Sequence, residues 1–507
     1  MRIVYLPVNS TFIDKKPKLK KGARVKLPPL MLEATAPLIE PTLPPHPFLP
    51  IAHLPNAEAE LCSLLHRAAT ATPEIDAAFV RDFVSWVKKN YRKLFEVKHI
   101  NSRSHAEYIR RSNARPSVKK KLVRVWKIMC RKRITEWTRF TDKEVRKHTK
   151  RATFIKVENE LLHANGVVVE KAPRLIQGAQ PEFINIVGPW IMSLQDFFKR
   201  KYGGADENLL IASGLTSDKI AEWMNSMHGA VLENDISKFD SSICYELMEL
   251  EAWIFNLYSP PDAVKQLIQG NLNARGSTHG GIEYFIPGTR KSGDPYTSLG
   301  NSLLNLLMHV FIVSESRKIS AIKAKHSIKM VAAGDDNVSK CIYPNIPWKD
   351  SFLRLGFKAD CIPRVGLEDA EFCSNLFVRQ DDKLYMCPKP GRVLAKLGCF
   401  RNLPKTVTKE QAIRGTVLGL YNSLSFIPAM KRLFDQILDR TSGLRAWSSR
   451  KQDWDVLRHA PIPESCSQAV YRRYFGKLDN ILQGKRWSSS ALRYMQIDVG
   501  VPFGFQL

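Results

Sequence analysis

Apolar residues recur at helical spacing from about Asn56 (AEAELCSLLHRAA) and again over Ile75–Phe95 (IDAAFVRDFVSWVKKNYRKLF), which predicts two amphipathic helices. Upstream the period is lost. Residues 28–55 carry so many prolines that a regular helix is excluded, and an extended path over the surface of something larger is expected. From about 152 to 400 strand-like and helix-like runs alternate. GVVVE (166–170), AVLENDIS (230–237), IKMVAAGDD (328–336) and KLYMCP (383–388) read as strands. ELMELEAWIFNLY (246–258) and SLGNSLLNLLMHVFIVSESRKI (298–319) read as helices. Residues 400–507 look mostly helical again, with Trp447, Trp454 and Trp487. The longest apolar run, around Leu303–Val313, is about half the length a membrane-spanning helix needs. The N-terminal MRIVYLPVNS is too short an apolar run for a signal peptide. The pattern is that of a mixed α+β chain.

Charge changes this picture. Lys and Arg number 77 against 49 Asp and Glu among 507 residues, a formal net charge of +28. Such an excess points to a polyanionic partner, nucleic acid first and an anionic membrane surface second. Arg103–Arg151 concentrates it, with 18 Lys/Arg and 4 Asp/Glu and with Trp126, Trp137 and Phe140 interleaved. That mixture suits phosphate contact with base stacking; the alternative is an amphipathic helix with a solvated basic face. Nine scattered cysteines without a CxxC argue for a reducing compartment and against a zinc finger. Cys62 and His66 share a helical face but lack a second ligand pair, so core packing is expected of them.

Against this basic background, residues 331–340 read VAAGDDNVSK. IKMVAA resembles a buried strand and NVSKCIY its antiparallel return, with Gly334-Asp335-Asp336 at the turn. An Asp-rich β-turn is the plain structural alternative. A partner lies upstream: in VLENDISKFDSS, Asp235 sits where a strand would end and Asp240 follows five residues on. If both strands share one sheet, Asp235 and Asp335 can face each other. Carboxylates held that close repel, and one would protonate unless divalent cations intervene. Two Mg²⁺ ions about 3.5–4 Å apart on such ligands activate a 3′-hydroxyl and stabilise a leaving pyrophosphate. Hard oxygen ligands favour Mg²⁺ or Mn²⁺ over zinc.

Two further segments complete the set. In KSGDPYTSLGNSLLNLL, Ser292-Gly293 makes a flexible turn, and Thr297, Asn301 and Asn305 follow at i, i+4 and i+8 on one helix face. That face can hydrogen-bond a ribose or a base edge; helix capping by Ser292 and Asp294 is the alternative. In FIKVENELL and EKAPRLIQGAQPEF, Lys156, Lys171 and Arg174 lie in strand-like surroundings and would suit a triphosphate, unless they serve only in surface pairs such as Lys156 with Glu158.

The order K-x-E, K-x-P-R-x-I, D-x₄-D, S-G-x₃-T-x₃-N, G-D-D resembles the RNA-dependent RNA polymerases of positive-strand RNA viruses, of the tombusvirus- and flavivirus-like group. LGFKAD (355–360) and EFCSNLF (371–377) resemble two later motifs of that family. The resemblance covers about residues 150–400. It implies a right hand with an antiparallel palm sheet: a basic, helical N-terminal extension with fingertips at 1–150, fingers at 151–230, palm at 231–378 with a fingers insertion at 259–290, and thumb from 379 to 507. It implies that Asp235, Asp335 and Asp336 hold the metal ions, and that Asp240 and Asn301 recognise the ribose 2′-hydroxyl with support from Ser292 and Thr297. Arg174 and Lys171 would hold the incoming nucleoside triphosphate, with Lys156 nearby and Lys358 as general acid for pyrophosphate. Cys373-Ser374 is expected in a β-hairpin near the primer strand. The implied partners are a viral RNA template and product duplex, and the implied location is the host cytoplasm, at membrane-associated replication sites. Two other readings stay open: a reverse transcriptase of retroelement type, and a non-catalytic basic RNA-binding or capsid protein.

Overall fold

The computed structural model describes residues 5–6, 17–28, 39–41, 49–53, 55–157, 160–162, 172–226, 228–394, 396–401, 403–448 and 460–475. The GVVVE run, Glu158, Lys171, Trp454 and Trp487 lie outside the described residues.

A five-stranded sheet occupies the centre, in the order β10 (Lys358–Arg364), β5 (Ala230–Ser237), β9 (Asp336–Cys341), β8 (Ile328–Ala333), β4 (Leu209–Ile211). Every pairing is antiparallel except β8 with β4. β8 is buried on both faces: α5 (Thr297–Arg317) packs on it and is itself almost wholly buried, while Lys329 of the strand lies over the Trp223 ring at 4.2 Å. With 21 residues, α5 is long and apolar enough to cross a bilayer, longer than the Leu303–Val313 run alone suggests; 89% of its apolar stretch lies inside the protein, so it serves as a core helix. The predicted helix at 75–95 forms as α1 (Ala77–Leu94), and its Phe79 and Phe83 rings pack on Phe311 of α5, each with centroids 5.2 Å apart. α1, α3 (Pro181–Tyr202) and α4 (Tyr245–Asn256) thereby share one apolar core with the central sheet.

A second five-stranded sheet flanks it, in the order β1 (Arg24–Lys26), β7 (Glu283–Phe285), β6 (Arg275–Thr278), β2 (Arg151–Lys156), β3 (Arg174–Ala179). A third is the antiparallel meander β11 (Glu371–Phe372), β12 (Asn375–Gln380), β13 (Lys383–Pro388). Helices α6 (Lys409–Leu424) and α7 (Pro428–Arg440) build a separate apolar cluster on β12 and β13. The described pieces of the proline-rich stretch are extended as expected, and Ile39–Pro41 pairs with Cys399–Arg401. The fold is mixed helix and sheet with mainly antiparallel strands.

The basic block folds into the short helices His105–Arg111 and Asp142–His148 and the longer α2 (Pro116–Arg131), which packs on α3. Of the aromatic residues in it, Tyr108 and Phe140 are buried and Trp126 stacks on His105 at 4.4 Å; Trp137 presents its ring to solvent. Cys62 packs in an apolar cluster, as expected.

Candidate active site

The β8–β9 hairpin turns at Gly334-Asp335, with Gly334 at φ +77°, a left-handed backbone that glycine adopts without strain. Residues of α5 hold this turn from behind. Ser302 Oγ accepts the Gly334 N–H at 2.8 Å, and Asn305 Nδ2 donates to the carbonyls of Gly334 and Asp335, both at 3.1 Å. Asn305 therefore clamps the turn and does not reach outward toward a base.

β9 pairs with β5 through Asn337↔Asn234, and one step further along the same register lie Asp336 and Asp235. The residue across from Asp235 is thus Asp336, while Asp335 occupies the turn. All three residues are exposed, yet the atoms crowded around Asp335 and Asp336 strip part of their hydration. Burial and the charge of Asp336, then of Asp240, push the Asp335 carboxyl up to about 6. Asp336 is raised by burial and by Asp235, against the pull of Cys373, Arg392 and Arg174. Four carboxylates from three segments thus share one field.

Asp240 reaches this field because β5 ends in a forced turn. Lys238 adopts the left-handed conformation (φ 52°) and redirects the chain into the short helix Phe239–Ser242. Asn301 Nδ2 donates to Asp240 Oδ1 at 2.7 Å. The Asn301 carbonyl accepts from Arg290 Nε at 2.7 Å, and Arg290 grips Glu251 with two bonds of 2.6 Å. Arg290 and Glu251 are both buried. Thr297 Oγ1 donates to the Lys291 carbonyl at 2.9 Å and closes the loop that holds the half-buried Ser292. Asp294 does not cap α5: it is buried and ion-paired to Arg151 at 2.7 Å. Gly293 bridges to Gly178 of β3, where a Cβ would stand 2.4 Å from the Gln177 carbonyl oxygen.

Cations line the opposite wall. Lys156 and Arg174 are direct cross-strand neighbours on β2 and β3, and Arg174 lowers both Asp335 and Asp336. The backbone just before Arg174 is fixed by Arg67 Nε on the Ala172 carbonyl and by Ser63 Oγ on the Pro173 carbonyl. Lys358 opens β10 opposite Ser237, with Asp360 of the same strand opposite Asp235. Cys373 and Ser374, both with positive φ, form the two-residue turn between β11 and β12. The Cys373 thiol donates to Asp336 and is pushed up to about 12 by burial and that charge. Arg392 Nη1 holds Ser374 Oγ at 2.8 Å. Sequence reading missed Arg392, Glu251 and Arg290; the last two carry no signal beyond a charged residue in a helix and a TRKSGD loop.

The donors suit a hard divalent cation. They are all carboxylate oxygens, and burial together with their mutual repulsion pushes the Asp335 carboxyl up to about 6, a shift that a bound cation would oppose. Among the described residues no three His, Cys, Asp or Glu side chains already converge on a single point.

The mixed fold thus brings an acidic hairpin and an acidic strand end together beside cationic side chains. The chain belongs to the RNA-dependent RNA polymerase family, whose family model matches residues 107–415. Among curated relatives it is 24% identical over 337 residues to the RNA-directed RNA polymerase of Cucumber necrosis virus, covering 61% of this chain and 40% of that protein. It is 26% identical over 259 residues to that of Tobacco necrosis virus (strain A), covering 48% and 34%, and 26% identical over 238 residues to that of Tomato bushy stunt virus (strain Cherry), covering 44% and 28%. The chain spans less than half the length of these relatives. Members of this family act on nucleoside triphosphates with a divalent metal ion.

Proposed function

We propose that this chain is an RNA-directed RNA polymerase that replicates and transcribes a viral genome by template-directed nucleotidyl transfer. In this reading residues 231–378 are the palm with 259–290 inserted from the fingers, 151–230 the fingers, 379–507 the thumb, and 1–150 an N-terminal extension with fingertips. The observation that carries it is the pairing of β5 with the β8–β9 hairpin, which gathers Asp235, Asp335, Asp336 and Asp240 beside Arg174.

Asp235, Asp335 and Asp336 would hold Mg²⁺ or Mn²⁺, which when bound lowers the pKa of a 3′-hydroxyl and neutralises charge on the leaving pyrophosphate. The chain's own groups do the rest. Arg174, Lys171 and Lys156 bind the triphosphate and aim its α-phosphorus at the 3′-oxygen for in-line attack. Asp240, oriented by Asn301, accepts a hydrogen bond from the ribose 2′-hydroxyl. A site built to bond a hydroxyl rejects substrates lacking it more strongly than an apolar pocket can. Lys358 returns a proton to pyrophosphate. The +28 charge suits the template and product duplex. It also suits attachment to an anionic membrane face in the host cytoplasm, which liposome flotation tests.

Incorporation of ribonucleotides on a single-stranded RNA template with Mg²⁺ or Mn²⁺, lost in Asp335→Ala, is the expected result. Undiminished incorporation by that variant would refute the metal assignment. Preference for deoxynucleotides would favour a reverse transcriptase instead.

A further inference from the structure

The Lys-rich segment near the N-terminus sends one residue inward. Lys18–Lys20 runs beside Thr70: Lys20 N–H donates to the Ala69 carbonyl at 2.8 Å and Ala71 N–H to the Lys18 carbonyl at 2.7 Å. A few residues on, β1 joins the edge of the second sheet through β7. Held on both sides, Lys20 directs its ammonium to the end of the Phe239–Ser242 helix. Its Nζ donates to the carbonyls of Ser241 and Ile243, both at 2.8 Å, and to Thr289 Oγ1 at 3.0 Å. A fourth, longer contact of 3.4 Å reaches the Gly288 carbonyl.

These acceptors belong to the two segments that build the Asp240 site. Ser241 follows Asp240, and Thr289 precedes Arg290, the residue that orients Asn301. The two segments also meet directly, through the Arg290 N–H donated to the Asp240 carbonyl at 3.2 Å. An ammonium can donate three hydrogen bonds, and a cation at a helix C-terminus is favourably placed. We propose that Lys20 is a positioning residue: it staples the Asp240 turn to the Gly288–Arg290 segment and so sets the ribose-recognition pair Asp240–Asn301. The proposal rests on the polymerase reading above and gives the N-terminal segment a part in substrate selection. Burial pushes the Lys20 ammonium down to about 8, with Cys244 and Glu246 opposing; the group keeps most of its charge at neutral pH.

The test is single-nucleotide incorporation by the full chain, comparing kcat/KM for a ribonucleotide and its 2′-deoxy counterpart. Lys20→Met should lower ribonucleotide efficiency about tenfold and cut the ribose preference about fivefold or more, because a displaced Asp240 costs only substrates that bear the hydroxyl. Lys21→Ala, on the exposed neighbour, should change neither value. If Lys20→Met slows both nucleotides equally, or neither, Lys20 is only an anchor and the proposal is overturned. Should melting curves show that Lys20→Met does not fold, Thr289→Val removes one acceptor and should shift the preference the same way by a smaller factor; an unchanged preference there overturns it equally. A wild-type chain that incorporates no nucleotide on any template fails the polymerase reading itself, and the proposal falls with it.

Discussion

Arg290→Met should be among the most damaging single substitutions away from the carboxylate cluster. The guanidinium is fully buried, grips a buried Glu251 with two bonds of 2.6 Å and donates a third of 2.7 Å to Asn301. Removing it strands a carboxylate in the core, which costs about 3–5 kcal/mol. With about 2.1 cal/mol/K of unfolding entropy per residue, a chain of 507 residues would melt about 3–5 °C lower. Glu251 can escape part of that cost by taking up a proton. Burial already pushes its carboxyl upward and Arg290 is what holds it down, so in the variant it rises further.

The sign follows from that shift. Above the ordinary glutamate value of about 4.3 the unfolded chain releases this proton while the folded variant keeps it. The stability deficit is therefore smallest at and below about pH 4.3 and deepens as pH rises, by at most about 1.4 kcal/mol per pH unit, until Glu251 ionises in the folded state too. Melting curves from pH 5.5 to 8 on wild type, Arg290→Met, Glu251→Gln and the double variant measure it. The double variant, with no stranded charge, should recover about half the loss and lose the extra pH dependence. A deficit below about 1 kcal/mol, or one equal at pH 5.5 and 8, would refute the reasoning.

Other outcomes follow from the same geometry. Asp235→Asn, Asp335→Asn and Asp336→Asn should each cut nucleotide incorporation at least about 10³-fold while RNA affinity by filter binding stays near wild type. Asn305→Ala removes the clamp on the Gly334 and Asp335 carbonyls and should lower kcat about tenfold with little change in KM for nucleotide, read by steady-state kinetics. Gly300→Ala sets a Cβ 1.5 Å from Glu251 Oε1, and Gly293→Ala one 2.4 Å from the Gln177 carbonyl; each should destabilise by about 1–3 kcal/mol in urea melts.

The skeleton of the candidate site was legible because each piece combined a period with a charge that contradicted it. AVLENDIS and KLYMCP form strands at the very residues read from the pattern, and the hairpin of IKMVAA with DNVSKC turns at Gly334-Asp335. The partner of Asp235 was misjudged by one residue, since register in a hairpin depends on how many residues the turn consumes. Asn305 lies on the face it was assigned, but the turn fills the space in front of it. Arg151, Arg290, Lys291 and Asp294 were illegible in kind. Residues of these types are almost always on the surface, and only their pairing, set by contacts far apart in the chain, makes burial tolerable.

That buried ionic layer explains how the site can be directional. A buried ion pair adds little net stability over well-packed apolar side chains, so stability alone gives no reason for it. Direction does. A guanidinium can only donate hydrogen bonds and a carboxylate can only accept them, so Asn301, held between Arg290 and Asp240, has one admissible orientation: carbonyl toward Arg290, amide toward Asp240. With an apolar residue in place of Arg290 the amide could flip, its oxygen would face the Asp240 carboxylate, and the two acceptors would repel. Glu251 fixes Arg290 in turn, and Gly300 leaves the room for Glu251 to do so. The relay runs from Glu251 through Arg290 and Asn301 to one oxygen of Asp240, and its fixed order of acceptor-only, donor-only, amide and acceptor-only groups leaves the amide a single orientation.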